Sequence, residues 1–261
     1  MDKTVAQLYR IATDTALKQV GETISSALSD MPPGAVIPTF FRADDIGVIS
    51  KNFVNLLAIF EKHDMPLGLA VVPVWLTPSR WEAIRNYSDP CRHLWCWHQH
   101  GWKHTNHEAV GKKNEFGASR ADHAIRSDLI RGKKRLETLL GADFLPCFTP
   151  PWNRCSGRTL DVLAQLAFHG ISRSGGEQRD PSPLPDCFIN VDLHTRKEPD
   201  PVASLKGLCS ECGRAIKDRH LGIMIHHQRM NDAAFCFLDT LLGSLGQQSR
   251  LHLADMRDLS I

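Results

Sequence analysis

The sequence predicts an α/β fold on a mostly parallel sheet of about seven strands, held in one domain. Three observations predict it. Apolar, β-rich runs alternate with segments of helical periodicity along the whole chain. At 261 residues the chain has a length that α/β barrels keep in a single domain. The polar residues able to do chemistry nearly all stand just after an apolar run: Asp44 and Asp45, His100 and His104, Trp152 and Asn153, Asp192, and His226. In a parallel barrel the strand C-termini converge on one face, and that face carries the active site.

The elements follow in order. Residues 4–28 read as an amphipathic helix, broken by Pro32-Pro33-Gly34. Residues 1–30 are therefore expected as an N-terminal helix packed on a barrel of residues 31–261. Residues 36–41 form a strand that ends at the carboxylate pair. Ser50 is a plausible N-cap for a helix with Phe53, Leu56, Leu57 and Phe60 on one face. Residues 67–74 are a strongly apolar strand, followed by a short helix at 80–86. The strand at 93–98 leads into the histidine cluster, and the polar stretch 106–118 is a loop over one end of the fold. Residues 119–140 are a long helix stopped by Gly141. The strand at 144–148 runs into Thr149-Pro150-Pro151-Trp152-Asn153-Arg154. Leu160, Leu163 and Ala167 mark a helix ending at Gly170. Strands are expected at 187–191 and 221–225, a helix from Asn231, and a last strand at 251–253.

Composition sets the partners. The chain is 42% hydrophobic and 23% charged, an ordinary globular balance. With 31 basic and 29 acidic residues, the formal net charge of +2 gives no general reason to expect nucleic acid or an anionic membrane. No apolar run is long enough to span a bilayer. The N-terminal residues lack the apolar core and cleavage site of a secretory signal, so the expected location is the cytoplasm. Eight scattered cysteines, several in apolar runs, fit a reduced protein better than a disulfide framework. Cys209 and Cys212 form a C-x-x-C pair with no second pair to complete a zinc site, and read as ordinary thiols near a helix.

Two clusters carry the chemistry. His100 and His104, four apart on a helical turn, share a face and can chelate one ion. Asp44 and Asp45 are adjacent and point in opposite directions from an extended segment. One can then bind metal while the other stays free to move protons.

The order Asp44-Asp45-Ile46-Gly47, His100-Gly101-Trp102-Lys103-His104, a Pro-rich aromatic turn, and Ile223-Met224-Ile225-His226 resembles the polysaccharide deacetylases. These are carbohydrate esterase family 4, the nodulation-deacetylase homology domain. The resemblance covers residues 36–228 and implies a distorted, incomplete (β/α) barrel. It implies Asp44 as general base, Asp45, His100 and His104 as ligands of a divalent metal, and His226 as general acid. Zinc comes first by prior, with nickel, cobalt, manganese and iron open. Trp152, Asn153 and Arg154 fall at the motif whose aromatic lines the sugar site and whose backbone serves the oxyanion. Asp192 matches the acidic residue that orients the catalytic histidine. Thr149 stands where the family has the arginine that orients the base, which marks a divergent member. Arg154, Arg173 and Arg42 are the candidates to replace it.

The implied activity is removal of an N-acyl (acetyl) group from an amino sugar or glycan precursor. A carbohydrate is the expected partner, and the oligomeric state is left open. Linear amides or formamides are alternative substrates. A second enzyme reading takes His98-Gln99-His100 as the H-x-H of the amidohydrolase barrels. A third keeps the ligands but makes the barrel a non-catalytic carbohydrate binder. His98, His107 and His227 read as supporting or loop residues.

Overall fold

The computed structural model describes residues 5–175 and 180–259. In chain order the strands are β1 (Ile37–Ile46), β2 (Leu67–Val71), β3 (Trp95–His100), β4 (Phe144–Thr149), β5 (Gly170–Ile171), β6 (Val191–Asp192), β7 (Leu221–Ile225) and β8 (Leu251–Leu253). The helices are α1 (Thr13–Ser29), α2 (Lys51–Lys62), α3 (Pro78–Ser88), α4 (Asp122–Leu140), α5 (Gly157–Gln165), α6 (Pro201–Lys217), α7 (Asp232–Gly246) and α8 (Met256–Leu259).

The chain forms two compact units, one of residues 1–43, 50–67 and 190–254, the other of 44–49, 68–189 and 255–261. In the first, β7 pairs in parallel with β1 and β6, and β8 pairs with the start of β1. Helix α1 packs against α6 and against α7. Phe41 meets Phe60 of α2 edge-on at 5.3 Å, and both are buried. In the second, β4 pairs in parallel with β3 and β5. Its core joins Phe148 of β4 to Ile125 and Leu129 of α4 and Leu160 and Leu163 of α5. Trp102 and Phe116, from the segments on either side of the long loop, enter the same cluster.

Several expected elements shift. The opening helix is two pieces, a 3-10 turn at Gln7–Arg10 and then α1. Tyr9 is buried and its hydroxyl donates to the Leu193 carbonyl at 2.9 Å, which holds the turn away from the axis of α1. β1 runs on through Asp44 and Asp45 instead of stopping before them. β3 starts two residues late, after a 3-10 stretch at Asp89–Leu94 that contains Pro90, so His100 is its last residue. His100 and His104 are therefore not on a helical turn. A glycine at φ 61° ends the strand between them. The helix expected to reach Gly170 ends at Gln165, and Gly170 opens β5. Only Val191 of the strand expected at 187–191 lies in β6, which is two residues long.

Helix α6 had no bounds in the sequence reading, which noted only a helix near Cys209 and Cys212. Its signals were present: Asp200 caps it through the Ala203 N–H at 2.8 Å, and Pro201 opens it. The Cys209–Cys212 pair lies on it, and burial pushes the Cys212 thiol up to about 12, so it behaves as a small apolar group. None of the eight cysteines is in a disulfide. No helix among the described residues is long and apolar enough to cross a membrane.

Candidate metal centre

Asp44 and Asp45 sit at the C-terminal end of β1, which Ile46 ties to the next strand by accepting from the Val72 N–H at 2.8 Å. Asp44 is buried and extended. Asp45 has φ 64°, a left-handed conformation that only a few per cent of non-glycine residues adopt. The flip turns its carboxylate toward the histidines, with Oδ1 3.5 Å from His100 Nε2 and 3.2 Å from His104 Nε2.

His100 is buried at the end of β3, and its Nδ1–H donates to the Thr149 carbonyl on β4 at 3.0 Å. That bond makes Nδ1 the protonated nitrogen of the neutral ring, so Nε2, the atom facing Asp45, is the one that presents a lone pair once its proton is displaced. Burial opposes charge on His100. The hydrogen bond that Asp45 accepts from the protonated ring and the negative charges of Asp44 and Asp45 together outweigh it and hold the ring above the ordinary histidine range. His104 arrives by a tight turn, with φ 61° at Gly101 and φ 58° at His104 itself. Burial, and then the neighbouring His100, push His104 down to about 4, so it is neutral near pH 7.

Asp45, His100 and His104 offer ligand atoms all within 4.8 Å of one another, the only such trio among the described residues. Two ligands about 2 Å from zinc at a tetrahedral angle stand about 3.3 Å apart. The two Asp45 distances match that spacing, and the donor set of two imidazoles and one carboxylate suits zinc or a related divalent cation. The residues fit the group.

Two tryptophans flank His104. Trp152 lies 4.4 Å away between ring centroids and Trp75, which sequence reasoning missed, 5.7 Å. Trp152 and Asn153 form a turn just after β4 with φ 56° and 60°, and both are half-buried. Arg154 is exposed, with its guanidinium on the Lys113 carbonyl at 3.5 Å. Thr149 spends its hydroxyl on His98 Nε2 at 2.9 Å. Arg173 is committed to Asp186 at 2.9 Å and to the Asp180 carbonyl. Arg42 is fully buried on β1, two residues before Asp44 and so on the same strand face.

His98 makes its other ring contact with the Cys96 carbonyl at 3.2 Å, so both its nitrogens serve the interior. His107 lies exposed in the loop, and His227 is buried edge-on to Phe53 at 5.6 Å. Glu115 is another residue that sequence reasoning passed over. It is buried beneath the His104 turn and accepts from that turn's backbone.

The remaining candidates belong to the first unit. His226 follows β7, and its backbone N–H donates to His194 Nδ1 at 3.3 Å. Its own Nδ1 is buried with no hydrogen-bond partner among the described residues. The Asp192 carboxylate is taken up by its own turn. It accepts from the His194 and Thr195 N–H groups at 3.0 and 2.9 Å and from the Thr195 hydroxyl. This is a capping role, and His194, not Asp192, is what touches His226.

No family model matches the sequence, and no curated protein does. Solved structures do match. A candidate polysaccharide deacetylase from Mycobacterium smegmatis aligns at TM-score 0.66 and 14% identity, over 88% of this chain and 91% of that one. The fold is that of the family 4 carbohydrate esterases. A candidate polysaccharide deacetylase from Pseudomonas aeruginosa gives TM-score 0.62 at 12% identity, over 85% and 89% of the two chains. A family 4 pseudoenzyme from Bacillus anthracis gives 0.54 at 14%, over 88% and 67%. The incomplete (β/α) barrel that the sequence motifs implied is thus the architecture found. Because it holds a pseudoenzyme too, activity in this chain has to be argued from its own residues.

Proposed function

We propose that this chain is a metal-dependent hydrolase that removes an N-acyl group, acetyl in the first instance, from an amino sugar or glycan precursor. The observation that carries the reading is the convergence of Asp45, His100 and His104 with a second, buried carboxylate, Asp44, one residue away. A divalent cation there supplies Lewis acidity toward an acyl oxygen and acidifies water.

The protein's own groups divide the remaining work. Asp44 acts as general base. Its charge reaches both His100 and His104, which supports a role for it near the proposed ligands. His226 acts as general acid toward the leaving amine. His194 fixes the backbone of His226, so the orienting part expected of Asp192 passes to it. Trp152 and Trp75 give a sugar ring apolar faces to lie against beside His104. The Trp152 N–H is the local main-chain donor for an oxyanion, since the Asn153 N–H is taken by the Pro150 carbonyl at 2.9 Å. Zinc is the first candidate cation, and a family 4 acetyl xylan esterase of the same fold from Clostridium thermocellum, at TM-score 0.51, holds cobalt. Eight cysteines without a disulfide support a reducing compartment, hence a soluble or lipid-linked glycan met before export.

The reading is tested by acetate and formate release from a panel of N-acylated sugars, using metal-loaded protein with Asp44→Asn as the control. Release that vanishes in the control supports it. No release from any substrate by a fully loaded protein replaces it with the second reading, a carbohydrate-binding barrel. That second reading is favoured by one observation: Thr149, at the family's arginine position, is spent on His98. The amidohydrolase reading loses its basis, since both ring nitrogens of His98 are hydrogen-bonded in the interior.

A further inference from the structure

Glu115 is 1% exposed and lies eleven residues beyond His104, at the far end of the long loop. Its carboxylate accepts from three successive backbone N–H groups of the turn that delivers His104. Trp102 and His104 donate to Oε2, each at 3.2 Å, and Lys103 donates to Oε1 at 2.7 Å. Among the described residues it forms no ion pair with a cationic side chain. A fully buried carboxylate answered only by main-chain donors is costly unless the donors are fixed to receive it. Here they are. Trp102 is anchored in the apolar cluster on one side of the turn and Phe116, next to Glu115, in the same cluster on the other. The loop is braced by Asn114, whose side chain takes the Phe116 N–H at 2.9 Å and whose carbonyl takes the His107 N–H at 2.9 Å.

The close approach also explains Gly101. A Cβ there would stand 2.2 Å from Glu115 Oε2 and 2.5 Å from Pro151 Cγ, so no larger residue lets the carboxylate reach the turn. The turn itself needs left-handed backbone at Gly101 and again at His104, a conformation that His104 does not hold unaided.

Resting on the metal reading of the site, we propose that Glu115 is the positioning residue for His104: its buried carboxylate gathers the N–H groups of Trp102, Lys103 and His104 and locks the left-handed turn that aims His104 Nε2 at the place shared with Asp45 and His100. Glu115 touches neither cation nor substrate. It sets the coordination geometry from behind, as partners of ligating groups do in metal sites generally. A neutral amide cannot replace it, since one of its two ends carries hydrogens and would face an N–H donor.

The test is metal binding, read without any substrate. Zinc affinity is measured by chelator competition, and the visible spectrum of the cobalt-loaded protein reports ligand geometry. Wild type, Glu115→Gln and the exposed helix variant Glu137→Gln are compared, with folding checked by circular dichroism. We expect Glu115→Gln to bind zinc about 10- to 100-fold more weakly, with an altered cobalt spectrum, and Glu137→Gln to match wild type. Ser50→Ala, which loosens α2 outside the site, should leave affinity and spectrum unchanged and so separate positioning from general stability. Should Glu115→Gln fail to fold, Glu115→Asp, which keeps the charge but falls short of the turn, is read in the same way. A folded Glu115 variant with wild-type affinity and spectrum overturns the proposal while the metal reading stands. A wild type that takes up no metal overturns the metal reading, and this proposal with it.

Discussion

Asp45 and His104 both hold their ligand atoms in place from left-handed backbone, and Trp152 and Asn153 beside them do the same. These are four of the seven non-glycine residues with positive φ in the described chain, although the site is a small part of it. Such conformations cost about 1–3 kcal/mol each and persist where the surroundings impose them, which is typical of functional sites. The trio Asp45, His100 and His104 was legible in the sequence because a candidate cation site selects carboxylate and imidazole at short spacing. Their geometry was not, because a four-residue spacing is shared by a helical turn and by a left-handed strand exit. Glu115 and Trp75 were invisible for a related reason: each acts through a contact distant in sequence. The roles of the paired carboxylates differ by test. Asp45→Ala should lose bound zinc, read by elemental analysis after dialysis. Asp44→Asn should keep zinc while losing about 10²- to 10⁴-fold in turnover, the usual worth of a positioned base. Equal metal loss in the two variants would remove the distinction between base and ligand.

The elements were legible where local chemistry decides them. Ser50 and Asn231 cap α2 and α7 through the Phe53 and Ala234 N–H groups at 3.2 and 3.0 Å. Both starts could be placed because a cap is a one-residue signal. Asn231→Ala should cost about 1 kcal/mol in urea denaturation, with the slope unchanged. Elements decided by long-range partners were misplaced: the turn before α1 answers to Leu193, and β6 is two residues long because its flanking segment turns away to cap itself through Asp192. That turn carries His194, stacked on Tyr9 at 5.5 Å and 1% exposed. Burial, then the charges of His226, His227 and Arg229, push His194 well below the ordinary histidine range. The folded chain thus excludes a proton that the unfolded chain binds below about pH 6.5. The stability this group supplies is full above pH 6.5 and is lost as pH falls, at about 1.4 kcal/mol per pH unit until the depressed pKa is reached. Urea midpoints of the metal-free protein from pH 7.5 to 5.5 should fall more steeply in the wild type than in His194→Asn, which keeps only the share that His104 adds. An equal slope in both proteins would assign the acid sensitivity elsewhere.

For the whole molecule, the alternation of strands and helices fixed the fold class, and the placement of polar residues at strand ends pointed to the candidate site. Both are properties of the backbone pattern, which survives even at the 12–14% identity that separates this chain from structures of the same fold. What the pattern does not carry is whether the site is in use, since a pseudoenzyme shares the fold. Linkage offers a test at this scale that is independent of substrate. A cation that binds the folded chain through Asp45, His100 and His104, and the unfolded chain only weakly, adds RT ln(1 + [L]/Kd) to stability, about 2.7 kcal/mol at one hundred times Kd. Zinc at that excess should raise the urea midpoint of the wild type accordingly. Asp45→Ala should abolish the rise, because one ligand of the trio is gone. Asp44→Asn should preserve it, because the base is outside the ligand set. A zinc effect that survives in Asp45→Ala would place the stabilising cation somewhere other than this trio.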